Sequence, residues 1–145
     1  MKKILFVCHG NICRSPMAEF ILKDMLRKRG LESRCLVASC ATSTEEIWGG
    51  HGSPMYPPAK AMLSAHGIPY TEREAVQLRS RDYGEYDLFI GMDSANIRNM
   101  MRMLGGDPQG KVRRLMDFTD RGGDVADPWY SRDFDAAYRD IHDGC

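Results

Sequence analysis

No apolar stretch in this 145-residue chain approaches the length of a membrane span. The first, residues 4–7, stops before Cys8-His9-Gly10-Asn11, too short for the apolar region of a secretory signal, so no cleaved leader is expected. There is no excess charge of either sign: 20 Lys and Arg balance 20 Asp and Glu. That balance removes any overall pull towards nucleic acid or anionic membrane, so an anion site must be built locally. There is no Cys-x-x-Cys pair, and the five cysteines are an odd number. A disulfide framework is therefore not expected. Reduced thiols in a cytoplasmic protein are, and in that setting a cysteine pattern more often signals catalysis or metal binding. Internal repeats and linker-like segments are also missing, and the length suits one domain spanning residues 1–145. The chain stops close behind its last helical pattern, so a native C-terminus that runs further is expected.

What is present is strand–helix alternation. Residues 4–7 form an unbroken apolar run, as in a parallel strand buried on both faces. Ser15-Pro16 then reads as a helix start, with Ser15 as cap, Pro16 first and Glu19 in the first turn. An apolar stripe of Met17, Phe20, Ile21, Met25 and Leu26 follows, and Gly30 ends it. Further strands are expected at 35–38, 87–92 and 111–115, and further helices at 58–66, 94–104 and 133–142. Residues 39–57 and 120–128 read as loops. The order predicts an α/β fold, a small three-layer sandwich with a four-stranded parallel sheet flanked by helices. Right-handed crossovers would put the loops after all four strands at one sheet edge, where open α/β sheets bind ligands. Those loops carry residues 8–15, 39–43, 93–94 and 117–130.

A Cys and an Arg six positions apart mean little by themselves. Cys8 and Arg14, however, lie between a buried strand and a helix start, with Gly10 and Asn11 able to adopt the positive φ of a tight loop. Such a loop turns backbone N–H groups inward as an anion nest, here at a helix N-terminus. A thiol at a helix N-terminus beside Arg ionises more readily, so Cys8 is expected to act as a thiolate. The guanidinium of Arg14 offers a planar fork for two phosphoryl oxygens. Ser15 can donate a hydrogen bond to the thiolate and assist it as a leaving group. No Gly-Lys-Ser/Thr follows, which excludes a kinase-type loop, and Cys8, His9 and Cys13 fit no standard metal-ligand spacing.

The segment Val7-Cys8-His9-Gly10-Asn11-Ile12-Cys13-Arg14-Ser15-Pro16-Met17-Ala18-Glu19 resembles the signature of the low-molecular-weight protein-tyrosine phosphatases. Further similarities are Ser39-Cys40-Ala41-Thr42-Ser43, His66-Gly67-Ile68, Gly91-Met92-Asp93 with Asn96, and Asp127-Pro128-Trp129-Tyr130. The resemblance implies a hydrolase that works through a phosphocysteine on Cys8, without metal or cofactor, on a phosphotyrosine-containing protein. Asp127 is the matching acid, for which the chemistry has independent need: phenol leaves phosphorus poorly without a proton. A thiolate and a phosphate nearby would keep a proton on it for the first step, after which it would serve as base for water. By resemblance Trp129 and Tyr130 form an aromatic wall, Asn11, Ser39 and Asp93 brace the loop or orient Arg14, and Cys13 pairs reversibly with Cys8 under oxidation. The loop residues His9, Gly10, Asn11, Ile12, Cys13 and Ser15 would line the substrate site. Relatives that prefer phosphoarginine tend to carry Thr where Ile12 stands, and Ile resembles the tyrosine-directed branch.

Two departures stand out. Arg73-Glu74-Ala75-Val76-Gln77 occupies the place of His-x-Ala-Arg-Gln in many relatives, so the bonds behind the loop should differ. Trp48-Gly49-Gly50 is also unlike them. Rival readings are a protein-arginine phosphatase, an arsenate reductase of the same fold, a phosphocarrier and a non-catalytic phosphopeptide-binding module. The reductase needs further redox cysteines, and 78–90 has none. A carrier has no use for a hydrolytic acid, and a binding module would have lost Cys8 or Asp127.

Overall fold

The computed structural model describes residues 1–145, except the side chains of Trp129 and Tyr130. In chain order the elements are β1 (Lys2–Cys8), α1 (Arg14–Lys28), β2 (Cys35–Ala41), β3 (Ile47–Trp48), β4 (His51–Gly52), α2 (Pro57–Ala65), α3 (Asp82–Glu85), β5 (Leu88–Gly91), α4 (Ser94–Leu104), β6 (Val112–Arg114), α5 (Pro128–Ser131) and α6 (Phe134–Gly144). Four strands make one sheet in the order β2-β1-β5-β6, all parallel. The order reverses direction at β1, which has β2 on one side and β5 on the other. The carboxyl end of β1 is thus the switch point at which such sheets open a crevice. Its last residue is Cys8.

Alternation along β1 sorts the core into two layers. Phe6 and Cys8 face a cluster with Met17, Ile21, Leu63, Met92 and Ile141, beneath α1, α2 and α6. Leu5 and Val7 face the other, with Phe89, Met100 and Val112, beneath α3 and α4. The expected three-layer α/β sandwich is what forms. Gly91 permits close packing of α4, since a Cβ there would lie 2.9 Å from Met100 Cε.

The expected helix at 94–104 matches α4, because both of its ends are chemically marked. Asp93 accepts from Asn96 N (2.8 Å) in a reciprocal capping box, and Gly105 closes it at φ 76°. The start of α1 is a correction. Arg14 is already helical, Cys13 is the flanking residue, and Ser15 caps nothing. Its hydroxyl is engaged by Cys8 and Asn11 instead. Glu19 lies beyond the first turn of α1, where it takes a bond from Ser39. β2 runs three residues further than the expected 35–38, because residues 39–41 pair with residues 6–8 of β1. Within the expected loop 39–57, β3 and β4 form a small hairpin across Gly49 and Gly50, both at positive φ. Strands of two residues show no alternation a sequence could reveal. No helix among the described residues is long and apolar enough to cross a membrane.

Candidate active site

The site grows from the end of β1. The chain leaves the sheet at Cys8, turns through His9–Asn11 and enters α1 at Arg14. Asn11 adopts φ 58°, a conformation that Asn tolerates better than most residues. That turn directs the Asn11 N–H at Cys8 Sγ (3.3 Å). Ser15 Oγ lies 3.0 Å from the same sulfur. Cys8 therefore has two polar neighbours at the start of a fifteen-residue helix, a setting that favours negative charge.

Arg14 is buried, 2 % exposed, and fixed from two directions. Its Nη1 donates to Asp93 Oδ2 (2.7 Å) and to the Val125 carbonyl (2.9 Å). Both protons of that nitrogen are therefore occupied, leaving the Nε–Nη2 edge as the fork for an anion. Asp127 Oδ2 stands 3.5 Å from Nη2, on that edge. Burial works against the Arg14 charge, but Cys8, Asp93 and Asp127 together outweigh it and hold the guanidinium more firmly protonated than usual. The arrangement brings a sulfur, a guanidinium edge and a carboxyl group to one opening, a set chemically able to transfer a phosphoryl group. Among the described residues no group of three or more His, Cys, Asp or Glu is placed to hold a metal ion.

The cleft holds about 130 Å³ and is lined by Cys8, His9, Gly10, Ile12, Cys13, Arg14 and Asp127, with Glu45, Glu46 and Tyr56 added from outside the expected set. Tyr56 is tied to the loop through its backbone, donating to the Ile12 carbonyl (2.7 Å). It stands near the end of the segment 39–57, which was expected only as a loop. Glu45 reaches His9 Nε2 at 3.0 Å across the mouth. Burial pushes the Cys13 thiol up, with Cys8 and Asp127 adding to the effect and Arg14 opposing it. Cys13 is thereby kept a thiol while Cys8 faces the cleft.

Of the expected bracing residues, Asn11 and Asp93 are in place: Asn11 Nδ2 donates to Ser15 Oγ (2.8 Å), and Asp93 grips Arg14. Ser39 is elsewhere. Its hydroxyl donates to Glu19 Oε1 (2.6 Å), tying β2 to α1 rather than reaching the loop. The expected wall of Trp129 and Tyr130 lies outside the described side chains. Arg73 was singled out only as a departure, yet it bonds the carbonyl (2.7 Å) and side chain of Asn11 from behind.

The family model for low molecular weight phosphotyrosine protein phosphatase matches residues 3–145. The chain belongs to that family. Low molecular weight protein-tyrosine-phosphatase YfkJ of Bacillus subtilis is 36% identical over 148 residues, covering 100% of this chain and 92% of YfkJ. The YfkJ crystal structure superposes with a TM-score of 0.90, covering 100% of this chain and 90% of that one. SP-PTP of Streptococcus pyogenes is also 36% identical, with a TM-score of 0.87 over 100% of this chain and 89% of its own. The Drosophila arginine phosphatase DARP shares the architecture at 29% identity and a TM-score of 0.84, covering 100% of this chain and 93% of DARP. This phosphatase is accordingly a hydrolase with the family's parallel four-stranded fold.

Proposed function

We propose that this protein-tyrosine phosphatase hydrolyses phosphotyrosine in proteins, and small aryl phosphates, through a phosphocysteine on Cys8. The observation that carries this reading is the convergence of Cys8 Sγ, the Nε–Nη2 edge of Arg14 and the Asp127 carboxyl on one cleft. In the first step the thiolate forms an S–P bond in line with the departing phenolic oxygen. The P–O bond breaks, and Asp127 delivers its proton to that oxygen, so tyrosine leaves neutral. Arg14 and the loop amides hold the equatorial oxygens, where charge persists through the loose transition state. In the second step Asp127, now a carboxylate, takes a proton from water as the water oxygen bonds phosphorus. The S–P bond breaks, the electron pair returns to Cys8, and Ser15 steadies the sulfur with its hydroxyl proton. Phosphate is released and Asp127 is again protonated.

Ile12 and Tyr56 give the cleft apolar walls suited to a phenyl ring. Oxidative control through Cys8 and Cys13 is part of the proposal. Cys13, kept protonated, would act as a slow resolving thiol, so peroxide should inactivate the enzyme and a thiol reductant should restore it. A cytoplasmic setting, where such thiols stay reduced, is the compartment that fits.

The test is a leaving-group series with Asp127→Asn, alongside Cys8→Ser. Asp127→Asn should lower kcat about 10²–10⁴-fold for phenols of high pKa and much less for nitrophenol. Cys8→Ser should lose turnover while still binding vanadate. Equal slowing across the series would refute the acid role. Phosphotyrosine, phosphoarginine and phosphoserine peptides assayed side by side would show which phosphoryl linkage the cleft prefers.

A further inference from the structure

The Ser15–Cys8 contact depends on which way the Ser15 hydroxyl points, and the structure shows what sets that direction. Ser15 Oγ accepts from Asn11 Nδ2 at 2.8 Å. Its own proton is left to choose between Cys8 Sγ at 3.0 Å and the Cys40 carbonyl at 3.5 Å, and the shorter contact is the sulfur. The hydroxyl stays so oriented only while Asn11 presents its NH2 group to Ser15 rather than its oxygen. Two donors enforce this. Arg73 Nη2 and Val76 N (3.1 Å) both point at Asn11 Oδ1, and neither can accept a bond. Arg73 Nη1 meanwhile donates to the Asn11 carbonyl at 2.7 Å, holding the left-handed backbone whose N–H faces Cys8.

Arg73 can do this because its own segment is clamped. Ala41 N donates to the Val76 carbonyl (2.7 Å), Leu78 N to the Ala41 carbonyl (2.8 Å), and Ala75 N to the Ser53 carbonyl (2.8 Å). The strand end that follows Cys40 and the rim of the cleft thus hold residues 75–78 from both sides. At Gly52 the approach is so close that a Cβ would fall 1.9 Å from the Ala75 oxygen.

We infer that Arg73 is a positioning residue for the nucleophile: with one guanidinium it fixes both the backbone and the amide of Asn11, and so aims two hydrogen-bond donors at Cys8 whatever the working pH. The inference rests on the reading of Cys8 as nucleophile. A histidine in this place, as in the relatives this chain departs from, could hold the same bonds fully only while protonated. Burial draws the proton affinity of Arg73 down, while Glu19, Cys8 and Cys40 hold it up. An arginine starts so high that it stays charged throughout. The charged and titratable groups around Cys8 are Arg14 from α1, Arg73 from behind the loop, the buried thiols Cys13 and Cys40, and, across the cleft, His9 with Glu45 and Glu46. Asp93 acts through Arg14, whereas Asp127 both pairs with Arg14 and lines the cleft with Cys8. Arg73 is thus a second cation whose field reaches the sulfur, held behind Asn11 rather than lining the cleft.

The experiment compares Arg73→Met, Arg73→Lys and Arg73→His with the parent by two readouts. One is the pH profile of Cys8 alkylation by iodoacetamide, followed by mass spectrometry at that residue, which needs no phosphatase activity. The other is kcat and KM for an aryl phosphate across pH 5–9. Arg73→Met should displace the alkylation profile to higher pH and lower kcat about tenfold or more, with a smaller change in KM. Arg73→Lys should keep most of the profile. Arg73→His should gain an ionisation in kcat near pH 6–7, with activity falling as that pH is passed. A folded Arg73→Met protein whose alkylation profile overlays the parent's, with kcat within twofold, overturns the inference. If that variant does not fold, Arg73→His decides, and a kcat profile of the parent's shape overturns it. Should the parent alkylate as expected yet hydrolyse no aryl phosphate, the phosphatase reading fails while the Arg73 inference is still judged by alkylation.

Discussion

The loop at residues 8–15 and the rim at 43–53 face the same cleft but are built in opposite ways. In the first, Asn11 and Ser15 are fully buried and each makes several hydrogen bonds. In the second, Trp48 is 64% exposed, and the Glu45 carboxylate meets His9 at the surface. Buried polar networks are costly to leave partly satisfied and therefore hold one geometry. Exposed ion pairs contribute little to stability and can be exchanged freely. Chemistry at phosphorus needs the first kind of loop, and choice among protein substrates can be made by the second.

The largest break in that contrast should come from Asn11→Ala. It places an ordinary residue at positive φ and strands donors from Arg73 and Val76, together costing roughly 2–4 kcal/mol. The loss of preorganised geometry should lower kcat/KM by about 10²-fold or more. Denaturant unfolding and steady-state kinetics measure both, and Asn11→Gly separates the backbone strain from the lost side chain. A variant as stable and active as the parent would mean that the loop does not depend on this network.

Next in size, Ser15→Ala should keep the fold but slow expulsion of sulfur from the proposed phosphocysteine, by an amount on the order of tenfold, the worth of one hydrogen bond to a charged group. Rapid mixing should then show a burst of phenol ahead of a slower steady state. Loss of the burst together with slower first-step release would move the role of Ser15 to the attack.

Much of this was legible beforehand. Cys8, Arg14 and Asp127 are recognisable because each carries its context: a buried strand, a helix start, a proline. α4 was legible in its bounds, 94–104, with Gly105 as its stop, while the Asp93 cap was seen only in the structure. The start of α1 was misread because Ser-Pro has the form of a cap while the Ser15 hydroxyl is drawn to a sulfur seven residues back. Arg73 was illegible for a similar reason. Its bonds to Asn11 span 62 residues, and no local propensity encodes a contact made by the end of a long side chain. Ser39 shows the converse, a residue at the expected edge whose proton is given to Glu19.

The smallest effect should come from Trp48→Ala, in the exposed rim. Stability should stay within about 0.5 kcal/mol, and turnover of small aryl phosphates should not change. KM for a phosphotyrosine peptide should rise a few-fold. An equal rise for the small substrate would show that the rim shapes the phosphate site itself and dissolve the division of labour.

Asp93 divides one carboxylate between two tasks. Oδ1 receives the N–H of Asn96 at the start of α4, and Oδ2 receives the guanidinium of Arg14. Heat stability of that helix and affinity for phosphate therefore cannot be tuned independently at this position. A lineage adapting to a new temperature would have to do so elsewhere in α4, and a designer seeking a looser anion fork would find the helix fraying with it.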